Sequence, residues 1–443
     1  MILRKIALTV AVSASLLSGC GGGGNDAASI IIPATSSSYV VVAWNDLGMH
    51  CLNPSYDTAV ILPPYNTVWA QVIRRGNKPQ VVTTGLTVSY RILNNTTSQN
   101  KGLFHQFWTY AQALFGVTPA LDKGLNLDDP IVSNGLSGSM LAKGDHFQVS
   151  GIPVVPYNDG SNVRNPYQIA EITVKDSNGA IIAQTQATVP TSEEINCGKC
   201  HAVGGTVTQV FNDVLSEHDA ANGTTLVNQK PVLCAKCHGS PALGTTGAGS
   251  SGKYLSQAIH ASHASRGAGC YDCHPGASTQ CNRSAKHTAA DGDCTNASCH
   301  GTMANVAATI AGGSRIPWVN EPKCVTCHAG VAQVETGAVL YRNAKGHGGV
   351  YCAGCHGSPH AMYPVSNTSQ DKTGNYQPLQ YQAKAMVLGD CRNCHGSSRG
   401  GGNDFADEHG NNGKPSACNI CHTGFQNAGN TASWPHQFQW KSR

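Results

Sequence analysis

The N-terminal part of the chain alternates short apolar, β-branched runs with polar turns. Turn sequences such as Pro63-Pro64 and Asn158-Asp159-Gly160 separate these runs. Runs of this length, rich in Val, Ile, Thr and aromatic residues, favour strands. The pattern therefore predicts an antiparallel, sandwich-like all-β domain over residues 39–190. The runs are Tyr39 to Trp44, Thr67 to Arg74, Leu86 to Leu93, His146 to Ser150, Gln168 to Lys175 and Ala180 to Val189.

A few segments show the spacing of a helix. Between Gly102 and Phe115 an aromatic cluster recurs at this spacing and predicts one helix that faces the core. Further along, the helical candidates are short, such as Gln257 to Ala264 and Ala304 to Ile310, and the surrounding sequence is rich in Gly, Ser, Ala and Asn. We therefore expect residues 191–443 to form a second domain of short helices joined by loops, with little strand.

The N-terminus has the pattern of a lipoprotein signal peptide. Arg4 and Lys5 precede an apolar run from Ile6 to Leu17, and small residues then lead to Cys20. The run is too short to cross a bilayer as a helix. We expect residues 1–19 to be removed, Cys20 to be lipidated, and residues 20–38 to form a flexible tether. Because no acidic residue follows Cys20 directly, the outer membrane is the expected location.

Beyond residue 190 the cysteines follow one repeated pattern. Seven times two residues separate a pair of cysteines, and a His follows the second Cys at once. This is the attachment sequence of c-type haem, in which two thiols bind the porphyrin and the His ligates the iron. An eighth copy has four residues between its cysteines. The cysteine pairs are Cys197 and Cys200, Cys234 and Cys237, Cys270 and Cys273, Cys294 and Cys299, Cys324 and Cys327, Cys352 and Cys355, Cys391 and Cys394, and Cys418 and Cys421.

Haem accounts for this pattern better than zinc or disulfides. A tetrahedral zinc site combines two half-motifs and has no need of a His after every second Cys. Disulfides set no rule on the residue that follows a cysteine. For the stretched motif, a spacing from Cys281 to Cys299 is the alternative, and it would leave Cys294 over. The sequence predicts eight covalently attached haems.

The histidine count supports bis-histidine ligation. The chain has 19 His. Eight close the motifs: His201, His238, His274, His300, His328, His356, His395 and His422. Eight more lie after residue 197: His218, His260, His263, His287, His347, His360, His409 and His436. An iron with His on both faces suits electron transfer. We expect His360, four residues after His356, to serve a neighbouring iron.

The haems are expected to form the core of the second domain. From Cys197 to Arg443 the chain has 247 residues for eight motifs, about 31 each. So short a chain buries too little apolar surface to offset its conformational entropy without the cofactor.

Three cysteines and three histidines stand outside this scheme. Cys20 is assigned to lipid, and Cys51 and Cys281 are candidates for a disulfide in an oxidising compartment. His50, His105 and His146 are further candidate ligands, although a structural role is the simpler interpretation.

Charge excludes a nucleic-acid-binding role. The formal net charge of +4 falls to +2 once Arg4 and Lys5 are removed. Haem propionates would make the mature protein acidic, and no basic patch or phosphate-binding loop is present.

The chain resembles the multihaem c-type cytochromes of the outer surface of metal-reducing bacteria. The resemblance rests on the lipobox at Cys20, the dense haem motifs and the stretch from Cys352 to Pro364. It implies electron transfer from periplasmic carriers to extracellular acceptors such as metal oxides. It also implies partners among other c-type cytochromes or a porin-cytochrome complex, at the periplasmic face of the outer membrane or the cell surface.

Two alternative functions stay open. A multihaem reductase of a small nitrogen or sulfur oxyanion needs an iron with one open face, whereas all eight motifs end in His and the spare histidines match the irons in number. A cytochrome filament subunit would polymerise poorly if it carried a lipid anchor. We therefore expect an electron-transfer protein with no catalytic residues.

Overall fold

The computed structural model describes most of the chain from residue 38 to residue 396. The described residues are 38–46, 48–76, 78–275, 278–279, 294, 300–316, 318–320, 340–358, 360–361, 376–382 and 387–396. Predictions that concern Cys20, Cys281 and the motifs at Cys324 and Cys418 lie outside these ranges.

Twelve strands are described, most of them before residue 193. They are β1 (Tyr39–Asn45), β2 (His50–Cys51), β3 (Ala59–Val60), β4 (Val68–Arg74), β5 (Gln80–Val81), β6 (Thr87–Ile92), β7 (Ser137–Ser139), β8 (Leu141–Lys143), β9 (His146–Val149), β10 (Tyr167–Lys175), β11 (Ile181–Ser192) and β12 (Val232–Leu233). All six predicted runs fall on strands β1, β4, β6, β9, β10 and β11.

The described helices are short, with one exception. They are α1 (His105–Phe115), α2 (Val207–Asn222), α3 (Leu255–His263), α4 (Met303–Ala311), α5 (Cys352–His356), α6 (Gln377–Gln382) and α7 (Arg392–His395). Helices α1, α3 and α4 lie where the spacing predicted them. The sequence analysis missed α2, the longest of the set, although Thr206 and Gln209 form a capping box at its start and Gly223 ends it.

Two five-stranded sheets face each other. One has the order β1-β4-β9-β8 with β5 beside β4, and the other has the order β2-β11-β10-β6-β7. Their inner faces share one core, to which Val41 and Ala43 contribute from β1 and Ile172 and Ala187 from β10 and β11. The N-terminal part is therefore β-rich, and the described residues after 193 form short helices, loops and the two-residue strand β12.

Strand β1 is buried on both faces, which explains its unbroken apolar sequence. Val41 and Ala43 face the sandwich core, whereas Val40, Val42 and Trp44 belong to a second cluster on the outer face. That cluster includes Tyr341, Tyr351 and Ala353 from the loop-rich part. Since alternate strand residues point to opposite faces, β1 joins the two parts of the molecule.

The sandwich also contacts the start of the loop-rich part. Strand β12, just before the motif at Cys234, pairs in parallel with β3. Phe211 and Leu215 of α2 pack against Ala59 of β3. Within the described residues, no helix is long and apolar enough to span a bilayer.

Candidate functional site

The five fully described cysteine motifs fold into one local shape, a single helical turn. The backbone N–H of the closing His donates to the carbonyl of the first Cys in four of them, at 2.9–3.0 Å: His201 to Cys197, His238 to Cys234, His274 to Cys270 and His395 to Cys391. The fifth fully described motif is helix α5. Such a turn holds both thiols and the imidazole close together, as attachment to one porphyrin requires.

Five motif histidines lie opposite five of the spare histidines. The ring centroids of each pair are 6.0–6.3 Å apart. The pairs are His201 with His263, His238 with His218, His274 with His260, His300 with His360, and His395 with His347. His360 thus faces the histidine of another motif, as expected from its distance of four residues from His356.

The spacing of these pairs matches one iron between two imidazoles. Metal–nitrogen bonds of about 2.0 Å on opposite sides of an iron place the ring centroids about 6 Å apart. Two imidazoles on a tetrahedral ion would have centroids about 5 Å apart. Within the described residues no group of three or more Cys, His, Asp and Glu side chains forms a metal cluster. The arrangement fits haem, which takes two ligands from the protein because the porphyrin supplies four.

Hydrogen bonds orient several of these rings so that Nε2 stays available for the iron. In each case Nδ1 has a partner, which fixes the tautomer and the ring orientation. The contacts are His201 with Asp213 Oδ2 at 3.2 Å, His218 with Thr224 Oγ1 at 3.0 Å, His238 with Ser251 Oγ at 2.8 Å, His260 with the Ser256 carbonyl at 2.7 Å, and His263 with the Ile259 carbonyl at 2.7 Å.

Burial favours the neutral form of two motif histidines, His274 and His300. It lowers the pKa of His274 to about 4, with a smaller contribution from His260 and His300, and it lowers the pKa of His300. Neutral imidazole is the form that ligates iron. Burial also raises the pKa of the Cys234 and Cys355 thiols to about 12.

We number the described sites by motif order: site 1 at Cys197, site 2 at Cys234, site 3 at Cys270, site 4 at Cys294, site 6 at Cys352 and site 7 at Cys391. Neighbouring sites share elements. Helix α2 carries His218 of site 2 and Asp213, which contacts His201 of site 1. Helix α3 carries His263 opposite site 1 and His260 opposite site 3.

Ion pairs and hydrogen bonds also join neighbouring sites. An ion pair between Lys199 and Asp272 links the motifs of sites 1 and 3. Helix α3 contacts α4, which follows site 4, through Gln257 Nε2 and the Ala311 carbonyl at 3.4 Å. Between sites 6 and 7, the Leu388 N–H donates to the Cys355 carbonyl at 3.0 Å. His360 of site 4 lies four residues after His356, so sites 4 and 6 are also neighbours. Together these contacts order the described sites as the series 2, 1, 3, 4, 6, 7.

The sandwich holds both ends of this series. At site 2, Lys236 Nζ donates to the Ala113 carbonyl of α1 at 2.8 Å. At site 7, Arg75 Nε donates to the Asn393 carbonyl at 2.7 Å, and the Gly76 N–H donates to the Cys394 carbonyl at 3.1 Å.

Around sites 6 and 7 four buried side-chain nitrogens have no hydrogen-bond partner in the part of the chain that the structure describes. They are Trp44 Nε1, Trp69 Nε1, His146 Nε2 and Asn393 Nδ2. An unsatisfied buried polar group costs roughly 1–3 kcal/mol. The indole N–H groups of Trp44 and Trp69 and the Asn393 amide are donors and fit a cofactor that carries carboxylate groups, whereas His146 Nε2 is an acceptor when Nδ1 donates to Asp145.

Two histidines of the sandwich make structural contacts. His50 Nε2 donates to the Pro63 carbonyl at 3.2 Å, and its ring lies beside Tyr65. His146 stacks on Trp69 with a centroid distance of 4.3 Å, and its Nδ1 contacts Asp145. His105 is the exposed first residue of α1.

The candidate disulfide is described on one side only. Cys51 is half-buried in β2, where it pairs with Ser192 of β11. Thr279, two residues before Cys281, lies 3.0 Å from Ser192 between hydroxyl oxygens, and its N–H donates to Glu194 at 2.8 Å. Cys281 lies outside the described residues, so the bridge stays a prediction.

Several predicted site residues also lie outside the described ranges. They are His287, Cys299, Cys324, Cys327, His328, His409, Cys418, Cys421, His422 and His436. His356 is described as the last residue of α5. Conversely, the sequence analysis missed Asp213 as a partner of His201; the capping box that starts α2 was the signal that could have located its helix.

Comparisons with known proteins assign no family. No family model matches the chain, and no curated protein matches it. Among solved structures, it is similar to MtrC from Shewanella baltica OS185 with 14% identity and a TM-score of 0.14, over 65% of this chain. The chain spans 43% of the length of that protein. A TM-score of this size does not establish a common fold.

Proposed function

We propose that the chain is a multihaem c-type cytochrome that carries electrons along a series of haems, each with two axial histidines. The observation that carries the proposal is the set of five histidine pairs at 6.0–6.3 Å. Bound haem supplies one-electron redox chemistry. The chain contributes the attachment cysteines, both axial ligands and the spacing between sites.

The five pairs support a proposed set of axial ligands for five sites. The proximal ligands are His201, His238, His274, His300 and His395, and the distal ligands are His263, His218, His260, His360 and His347 in the same order. With an imidazole on each side, the iron has no open position for a substrate. This supports electron transfer over reduction of an oxyanion.

The rigid setting of the ligands also supports a conducting role. Shared helices α2 and α3 hold neighbouring sites at fixed separations, and the sandwich holds sites 2 and 7. The three buried donors around sites 6 and 7, Trp44 Nε1, Trp69 Nε1 and Asn393 Nδ2, would suit haem propionates. We propose that the sandwich is a scaffold for the haems.

The location and partners are part of the same proposal. A lipid on Cys20 would anchor the protein to the outer membrane, at its periplasmic face or at the cell surface. Partners would be other c-type cytochromes or a porin-cytochrome complex, and an extracellular metal oxide is the proposed terminal acceptor. The acidic charge of the haem-loaded protein would favour basic surfaces on these partners.

Electron paramagnetic resonance of the fully ferric protein tests the proposal. We expect only low-spin signals, and we expect carbon monoxide not to bind the reduced protein. A high-spin ferric signal equal to one haem in the wild type would contradict the proposal and favour the reductase.

A further inference from the structure

The Nδ1 partners of the paired histidines differ in charge. His218 and His238 contact hydroxyl groups, and His260 and His263 donate to backbone carbonyls. His201, the motif histidine of site 1, instead contacts the carboxylate of Asp213, with 3.2 Å between Nδ1 and Oδ2.

Asp213 is held in this position from two sides. It lies in the second turn of α2, and its Oδ2 also accepts the backbone N–H of Ala202 at 3.1 Å. Ala202 directly follows His201 and has a φ of 39°, in the left-handed region that a residue with a Cβ rarely adopts. The strained backbone at Ala202 thus turns an N–H toward the same carboxylate oxygen that His201 contacts.

Site 4 has the opposite arrangement. There Arg315 NH1 lies 3.5 Å from Nδ1 of the motif histidine His300, so a cation stands where site 1 has an anion. The two sites lie on either side of site 3 in the series.

We propose that Asp213 lowers the reduction potential of the haem at site 1 below that of the haem at site 4, and so gives the series a direction from site 1 toward site 4. This rests on the proposed function. A carboxylate that accepts the Nδ1 proton makes the imidazole a stronger ligand, which stabilises ferric over ferrous iron. The negative charge of Asp213 also lowers the potential of the haem at site 1, whereas the positive charge of Arg315 raises the potential of the haem at site 4.

The hydrogen bond is the larger part of this effect. Asp213 is 40% exposed, so water and salt weaken its charge at a distance. Reduction adds one electron to the iron, supplied in the test by the electrode. Mutation of an outer-shell partner of a metal-bound histidine typically costs 10–100-fold in metal affinity or activity. We expect the lower end, about a tenfold change in the ferrous-to-ferric ratio at a given potential, which is 59 mV for one electron.

The test compares Asp213→Asn with Glu217→Gln by spectroelectrochemical titration of the haem-loaded protein. Both variants remove one negative charge from α2, but Glu217 is exposed one turn later. In D213N the reduction potential of one haem should rise, so that its ferrous-to-ferric ratio at a given potential increases about tenfold. One low-spin ferric signal should also change its g values. Asp213→Glu, which keeps the carboxylate, should restore much of the shift.

Superimposable titrations of D213N and the wild type would overturn the proposal, as would equal shifts in D213N and E217Q. If D213N is recovered without a haem at site 1, Asp213→Ser replaces it in the test. Its hydroxyl is an acceptor like the Ser251 hydroxyl that His238 contacts, and its titration is compared with those of the wild type and E217Q. Failure of bis-histidine ligation would appear separately, as a high-spin signal in the wild type.

Discussion

His260 and His263 lie three residues apart on α3, yet they face the histidines of two different motifs. His260 lies 6.0 Å from His274 and His263 lies 6.3 Å from His201, measured between ring centroids. Residues three apart on a helix are neighbours on its surface, about 5–6 Å apart at Cβ. One short helix therefore serves two sites and sets the separation between them.

Removing either histidine of α3 should open one site. In His260→Ala we expect one high-spin ferric haem, at site 3, and in His263→Ala one at site 1, because each iron loses its distal ligand. The double variant should show two. His105→Ala, at the exposed start of α1, is the control and should show none. Electron paramagnetic resonance measures the signals, and two high-spin haems in either single variant would contradict the assigned pairs.

The haem count tests the stretched motif. Intact mass spectrometry of the mature protein should give eight covalent haems. Replacing Cys294 and Cys299 together by Ala should remove one of them, since the thiols form the bonds to the porphyrin. A wild-type mass with seven haems would remove both cysteines from the attachment set.

Cys51 and Cys281 should be linked. Thr279 contacts Ser192, the strand partner of Cys51, so the chain two residues before Cys281 is held beside Cys51. Peptide mapping without reduction should recover both cysteines in one fragment. Recovery of both as alkylated thiols would show that non-covalent contacts alone, such as the hydrogen bonds of Thr279, join the sandwich to this segment.

His50 should make the sandwich sensitive to acid. Burial lowers the pKa of His50 to about 4 from an ordinary value of 6.5. Between these values the unfolded chain takes up a proton that the folded chain excludes, so stability is full above pH 6.5 and falls as the pH drops toward 4. The loss approaches about 3 kcal/mol.

His50→Gln keeps a donor for the Pro63 carbonyl but does not titrate. Its free energy of unfolding in denaturant should fall less than that of the wild type between pH 7 and pH 4.5. His105→Gln, in an exposed position, should behave like the wild type. An H50Q profile parallel to that of the wild type would show that other groups control the acid response.

Gly354 should be essential to the contact between site 6 and the sandwich. A Cβ at this position would lie 3.2 Å from Val42 Cγ2 and 3.4 Å from Trp44 Cζ3. Gly354→Leu should therefore destabilise the protein by about 1–3 kcal/mol through overpacking. Gly76→Leu is the control, because a Cβ there has no atom within 4 Å. Chemical unfolding curves that coincide for the two variants would contradict this close packing.

The sandwich was largely predictable from the sequence. Strands show in the chain because their residues alternate between faces or, in β1, are apolar on both faces. Helix α2 was missed although Val207, Val210, Phe211, Val214 and Leu215 follow helical spacing, and three of these residues, Val210, Phe211 and Leu215, are buried in the structure. The contact of Trp44 with Tyr351 could not be predicted, because it joins residues 307 positions apart.

The sequence by itself determined where the candidate haem attachment motifs lie, because two thioether bonds and one iron ligand would require a fixed local spacing. It did not determine which histidine faces which motif. His263 precedes Cys270 by seven residues but faces His201, and His347 precedes Cys352 by five but faces His395. Only the tertiary structure decides these pairs, because a second axial ligand needs only the right place in space, and the packing of helices and loops brings it there from any distance along the chain.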